Sequence, residues 1–384
     1  MGLVFTILAI TLGIFLLGIL VFVHEAGHFF AAKFFKIRVE EFGFGFPPRV
    51  WGRKRGGTIY SINAIPAGGF VRLLGEEGEA AGDPHSFAAK GPWTKSIVVA
   101  AGVIVNLIVA FLIFTFLLAN NGFRADIPTS LPMTGENLGL SFPFGAQTNR
   151  VLIGFVDPGS PAEKSGLRPL DELVTVDGQS FTTLESFQKF VKNHEGEEVT
   201  LQVYNIFERS SRVVVAVPRE NPPEGEGALG VGLDSVSVIR YDSIADRVFV
   251  GPLHSANMLY FQSQALGSLF SRAVEERSAA PVARTVSGPV GIVALLGAFI
   301  GKTGTSGIFA LVETLALLSL ILAVINILPI PALDGGRFFF AVFEGLTGRK
   351  ANPNIERLIH TVGFTVLIVL FLLVTYNDIV KIFR

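Results

Sequence analysis

Long uncharged apolar runs set the pattern of this chain. Residues 3–23 form an unbroken run of 21 residues. As a helix such a run spans roughly 30 Å, the thickness of a bilayer's hydrocarbon core. Residues 96–119 form a second run of similar length, residues 314–330 with the apolar turn 308–312 upstream form a third, and residues 358–376 form a fourth. Four transmembrane helices are expected. A weaker stretch, 285–301, is rich in glycine and is expected to lie at the interface or re-enter rather than cross. No basic segment precedes the first run and no small-residue cleavage site follows it, because His24-Glu25-Ala26-Gly27-His28 comes directly after. It therefore reads as a retained span and not as a signal peptide.

Between the second and third runs the pattern changes to short strands and turns. Residues 151–156, 172–176, 199–204 and 212–217 read as strands, with an Asp177-Gly178 turn and a helix at 184–192. The expectation is a small α+β domain of roughly 70 to 90 residues, enough for one core. Residues 244–270 carry apolar positions at mixed helical spacing, as in helices resting on a membrane surface or an ordinary connecting helix. In the first polar loop, residues 58–65, Pro66-Ala67-Gly68-Gly69 and 70–74 read as strand, turn and strand.

Composition agrees with a membrane protein. The chain has 50% hydrophobic and 16% charged residues and a formal charge of -1, with a mean hydropathy of +0.53. Soluble domains carry about 25% charged residues. No basic stripe marks a nucleic-acid binder, and the absence of cysteine removes disulfides, thiolate catalysis and Cys-ligated metals. Lysine and arginine give the orientation. Ten of them fall between residues 33 and 95, none precedes the first run, Arg337, Arg349, Lys350 and Arg357 lie between the third and fourth, and the tail holds Lys381 and Arg384. Both termini and the long polar insert are expected outside, with the two basic loops in the cytoplasm.

The sharpest chemical signal is His24-Glu25-Ala26-Gly27-His28. Imidazoles four residues apart lie on one helix face and reach one Zn²⁺, with the glutamate beside the first ligand placed as general base toward water. Ionisable groups at the end of a span are costly and usually functional. The plainer alternative is a helix end that snorkels polar groups to the interface. Catalytic zinc takes three protein ligands, and without cysteine the third must be His, Asp or Glu. The third run ends in Asn326-Ile-Leu-Pro329-Ile-Pro331-Ala-Leu-Asp334-Gly335-Gly336. Its prolines break the helix, which would let Asp334 point inward at the same depth as the histidines. The alternative for Asp334 alone is a loop cap before the two glycines. His85, His194, His254 and His360 show no such constellation.

HExGH on the first run and NxxPxPxLDG on the third resemble the site-2 protease family of intramembrane zinc metalloproteases. The run GSPAEKSGLRPLDELVTVDG resembles the PDZ family, with Leu170 where a glycine is common before the aspartate. Together they make the chain similar to bacterial regulator-of-sigma-factor proteases with a single PDZ domain. The resemblance implies His24, His28 and Asp334 as zinc ligands, Glu25 as the catalytic base and Asn326 as a substrate-engaging side chain. Gly43-Phe-Gly45-Phe matches a glycine motif of that family, and the strand-turn-strand resembles its membrane-associated β-loop.

The implied fold is a multi-pass α-helical membrane protein of about four transmembrane helices, with a cytoplasmic-side β-hairpin and an inserted α+β PDZ domain. Expected divisions are a first helix with the HExxH motif in 1–36, a loop with the hairpin in 37–94 and a second helix in 95–119. The PDZ domain and its flanks follow in 120–236, an amphipathic segment in 237–306, a third helix with the LDG motif in 307–336, and a loop and fourth helix in 337–384. The implied activity is zinc-dependent cleavage of single-span membrane proteins, pre-cleaved by a site-1 protease, within the bacterial cytoplasmic membrane. An anti-sigma factor or signal-peptide remnants are examples of such substrates. A catalytically inactive, membrane-anchored PDZ adaptor and a metal transporter are the alternatives. The lipid bilayer is an expected partner and nucleic acid is not.

Overall fold

The computed structural model describes all residues except 1–2, 77–79, 81, 130–138, 224, 301–304, 350–351 and 383–384. Gly301, Lys350 and Arg384, used in the expectations above, lie outside the described residues. The chain opens with α1 (Leu3–Phe34), β1 (Val39–Arg55), β2 (Thr58–Leu73), α2 (Pro92–Asn120), β3 (Arg124–Pro128) and β4 (Ala146–Val156). It continues through α3 (Pro161–Ser165), β5 (Asp171–Val176), α4 (Leu184–Asn193), β6 (Val199–Asn205), β7 (Ser210–Ala216) and β8 (Val231–Arg240). Helices complete it: α5 (Ile244–Val248), α6 (Val250–Glu275), α7 (Ala280–Thr285), α8 (Pro289–Ile300), α9 (Thr305–Ile327), α10 (Asp334–Thr347) and α11 (Pro353–Ile382). It divides into two compact units, Met1–Ile113 with Val286–Arg384, and Phe114–Thr285.

Among the described residues four helices are long and apolar enough to cross a bilayer: Ile10–Phe34, Pro92–Asn120, Gly307–Ile327 and Ile355–Lys381. This is a multi-pass helical membrane protein with an inserted β-sheet region, and each span falls on one of the four apolar runs. The first helix does not stop at Val23. It carries the HEAGH motif through its own last turns to Phe34. The third begins at Thr305 and ends at Ile327, three residues short of the apolar run, because Pro329 lacks an N–H and disfavours helix at the residue before it.

The glycine-rich stretch becomes α8, a helix of 12 residues and so about 18 Å long, too short to cross. It packs inside the first unit. Leu296 is fully buried, a Cβ on Gly13 of α1 would lie 3.3 Å from Val293, and Asp378 of α11 accepts the N–H groups of Gly288 and Gly291 at 3.0 and 2.8 Å.

Strands β1 and β2 form a hairpin whose turn is Gly56-Gly57, both at positive φ. The chain reverses again between Ile62 and Gly69, as the strand-turn-strand reading expects, but the two strands so made flank β1 and do not pair with each other. Residues 39–44 lie between the two halves of β2, Val39 facing Leu73 and Phe44 facing Gly69 on one side, Glu41 facing Ile59 and Phe44 facing Ile62 on the other. The glycines near Pro66 also serve packing. A Cβ on Gly18 would lie 2.6 Å from Pro66 O, and one on Gly69 would lie 3.1 Å from Phe22 Cα, so both chains must be bare for β2 to rest on α1. Gly43 sits in the middle strand, where a Cβ would lie 2.6 Å from the Phe70 ring.

In the second unit six strands form one sheet in the order β3-β8-β4-β5-β6-β7. β6 alternates strictly, burying Val199, Leu201 and Val203. Helix α4 is capped by Thr183, whose side chain accepts from Ser186 N–H, and it buries Phe187, Phe190 and Val191 against the sheet. Each buried phenylalanine contributes roughly 2 to 3 kcal/mol. Ser160 caps α3 and Gly166 closes it at φ 87. Leu170, in the glycine-like position, does adopt a left-handed φ of 68, and it packs on Leu152, Val236 and Val238. β3 and β8 escaped the sequence pattern. β3 is five residues, three of them charged or Pro, and β8 buries five consecutive positions rather than alternating. His254 lies on α6. It is fully buried, bonded to Tyr241 Oη at 3.1 Å, and burial pushes it down to about 4. Further along α6 the apolar side chains of Leu266, Phe270 and Val274 are exposed.

Candidate active site

Gly27 explains how the motif on α1 becomes a site. A Cβ there would lie 2.5 Å from Ala101 O, so its absence lets α2 approach α1 at backbone distance. His24 and His28, four residues apart, then sit buried under α2. Their Nε2 atoms are 3.2 Å apart.

Asp334 arrives from 310 residues away in sequence, its Oδ2 2.7 Å from His24 Nε2 and 3.2 Å from His28 Nε2. It is the first residue of α10. The preceding loop is held by Ala332, at φ 73, whose N–H donates to His360 Nδ1 at 2.9 Å. A side chain on Gly335 would collide with Leu328 O, and one on Gly336 would lie 2.8 Å from Ile330 O. The two glycines thus let the first turn of α10 fold back on the end of α9. Arg337, one turn beyond Asp334, is ion-paired with Glu76 after β2.

Glu25 stands beside this cluster. The ligand-capable atoms of His24, Glu25 and His28 all lie within 4.8 Å of one another. Its Oε2 accepts the Val71 N–H from the outer edge of β2 at 3.1 Å. A cavity of about 230 Å³ opens onto His24, Glu25, Asp334 and Asn326, with Asn106 and Leu322 in its wall. That space is large enough for several waters at roughly 30 Å³ each.

The donor set fits zinc. Nitrogen and oxygen donors 2.0–2.1 Å from a tetrahedral ion stand roughly 3.3 Å apart, and the three separations here are 2.7, 3.2 and 3.2 Å. Asp334 Oδ2 lies within 3.2 Å of both Nε2 atoms, whereas Glu25 has one oxygen on Val71 N–H, which favours Asp334 over Glu25 as the third donor. The remaining histidines stay apart: His85 bonds Lys36 O and His194 bonds Phe190 O.

Sequence reasoning found α2 as a span but missed its part in the site. Val98 O accepts the Nδ1 proton of His28 at 2.9 Å, Asn106 contacts His24 Nδ1 at 3.3 Å, and a Cβ on Gly102 would lie 2.5 Å from His28 Nε2. A lone amide inside an apolar span was the available signal. The backbone N–H of Val71 and the carbonyl of Val98 leave no mark in any sequence.

A buried HExxH pair on a membrane helix is the motif of a membrane zinc protease. The sequence profile of peptidase family M50 matches residues 12–370, and this chain belongs to that family. It is 30% identical over 371 residues to a Clostridium acetobutylicum protein named "Putative zinc metalloprotease", covering 97% of each chain. A protein of the same description from Nostoc sp. is 31% identical over 368 residues, 94% of this chain and 93% of its own. Zinc metalloprotease RasP of Geobacillus kaustophilus is 26% identical over 446 residues, 95% of this chain and 96% of its own.

Proposed function

We propose that this chain is an intramembrane zinc endopeptidase that hydrolyses peptide bonds in or beside the transmembrane segment of single-span membrane proteins. One observation carries the reading: His24, His28 and Asp334 converge to 2.7–3.2 Å at the end of a membrane span, with Glu25 free to face the same cavity. These three residues would hold zinc, and family membership supports the metal. Bound there, zinc supplies Lewis acidity to polarise the scissile carbonyl and to acidify water. Glu25 takes a proton from the attacking water and passes it to the leaving amine, while Val71 N–H holds its second oxygen in place. Asn326, in the cavity wall, holds the backbone of the substrate.

A peptide bond in a helix is shielded by its own hydrogen bonds. The edge of β2 that touches Glu25 offers an extended segment the partners it loses on unwinding. The sheet of the second unit is read as a PDZ domain. Among the described residues, β3 pairs only with residues 236–240 of β8, which leaves residues 231–234 one-sided near α4, as peptide addition requires. That domain would sense or size-filter substrates already trimmed by a site-1 protease. The lysine and arginine distribution supports a bacterial cytoplasmic membrane with both termini and the PDZ domain outside, in regulated intramembrane proteolysis.

Glu25→Gln tests the activity. The purified variant should keep zinc and lose cleavage of a tagged single-span protein. Unchanged cleavage refutes the assignment, and absence of zinc from the wild-type protein supports the adaptor instead.

A further inference from the structure

Residues 98, 102 and 106 recur every four positions along α2 and so share one of its faces. That face meets both imidazoles of the site. Val98 accepts the Nδ1 proton of His28 through its carbonyl, 2.9 Å away. One turn on, Gly102 has no side chain to fill the space beside the two Nε2 atoms. Another turn on, Asn106 Nδ2 lies 3.3 Å from His24 Nδ1. Asn106 is fully buried, and its Oδ1 has no hydrogen-bond partner among the described residues. Its backbone is pinned from α9, where Ser319 Oγ donates to Asn106 O at 2.9 Å.

A ligating imidazole offers the lone pair of Nε2, which puts its proton on Nδ1, and that N–H needs an acceptor. His28 has one in the carbonyl of Val98. At His24 the group within reach of Nδ1 is the Asn106 amide. A half-turn of that amide exchanges Nδ2 and Oδ1 without changing the space it fills. One rotation therefore forms a single bond that gives the orphaned oxygen a donor and His24 an acceptor, with Nδ2 turned to the place Oδ1 held.

We infer that Asn106 is a positioning residue of the site, its amide oxygen accepting the Nδ1 proton of His24 so that Nε2 stays unprotonated and aimed at the point where His28 and Asp334 converge. The two histidines are thus held differently, one by a backbone carbonyl that no substitution removes, the other by a side chain that can be changed. This inference rests on the zinc reading above, and the two fail separately in the following experiment.

The full chain in detergent is titrated with zinc against a chromophoric chelator and separately loaded with Co²⁺ for its visible spectrum, for wild type, His24→Ala, Asn106→Leu, Asn106→Ala and Asn106→Asp. Both acceptor-free variants, Leu and the smaller Ala, should bind zinc about 10- to 100-fold more weakly and shift the Co²⁺ spectrum, whereas Asn106→Asp, which restores an acceptor, should stay within about threefold of wild type. Wild-type affinity in Asn106→Leu or Asn106→Ala, with His24→Ala abolishing binding, overturns the role of Asn106. So does an Asn106→Asp variant as weak as Leu, since packing alone then explains the loss. If the wild type binds no zinc, or His24→Ala binds it equally well, the zinc reading itself falls.

Discussion

Replacing Gly102 with alanine adds one methyl group where the site has no space for it. The new Cβ would lie 2.5 Å from His28 Nε2 and 2.8 Å from His24 Nε2, and ordinary contact begins near 3.4 Å. About 0.9 Å must be found at one histidine and about 0.6 Å at the other, against a tolerance of roughly 0.2 Å in metal–ligand distance. Retreat of α2 by that amount breaks the Val98–His28 bond at 2.9 Å and the Asn106–His24 contact at 3.3 Å. The helix itself gains, since glycine in a helix interior is about 0.5 to 1 kcal/mol worse than alanine. The expected result is a lowered thermal midpoint, because overpacking costs about 1 to 3 kcal/mol and exceeds that gain, together with cleavage reduced at least about 100-fold, the usual cost of a misplacement near 1 Å. Zinc content, melting and cleavage of a tagged single-span protein are measured in one detergent preparation. Gly267→Ala serves as the control, because among the described residues nothing lies within 4 Å of its Cβ position on α6. Full zinc content and wild-type cleavage in Gly102→Ala would show that α2 does not bound the site as described.

Two further outcomes concern stability. His254 is lowered to about 4 by burial and takes up protons on unfolding, so its contribution is complete above pH 6.5 and is lost as pH falls from 6.5 toward 4. The loss is about 3 kcal/mol at 1.36 kcal/mol per unit; thermal melts that stay flat across this window, or that slope equally in His254→Gln, would contradict it. Asp378→Ala leaves the buried N–H groups of Gly288 and Gly291 without their acceptor and should cost roughly 2 to 4 kcal/mol in detergent unfolding. An unchanged midpoint in Asp378→Ala would mean that α8 is held by apolar packing alone.

Local pattern was enough for whatever depends on local physics. Length and absence of charge marked the four spans, because an isolated helix must satisfy its own backbone in lipid. Four-residue spacing put His24 and His28 on one face, and the prolines ended α9 where their missing N–H required. The strands of β5 and β6 and helix α4 were legible from alternation and capping at the same scale. The short strand β3 was not, since its place is earned by pairing with β8 rather than by its own composition.

Tertiary structure decided what lies around those side chains. Only folding brings Asp334 within 2.7 Å of His24. It also inserts residues 39–44 between the halves of β2, so that the strands on either side of the Pro66–Gly69 reversal pair with β1 and not with each other. It sets Val71 N–H on Glu25 and the Val98–Gly102–Asn106 face of α2 on the two imidazoles. Backbone donors and acceptors are the same at every position of a sequence, and a glycine states only that a side chain is missing. Which atom occupies the freed space is fixed when distant segments pack together.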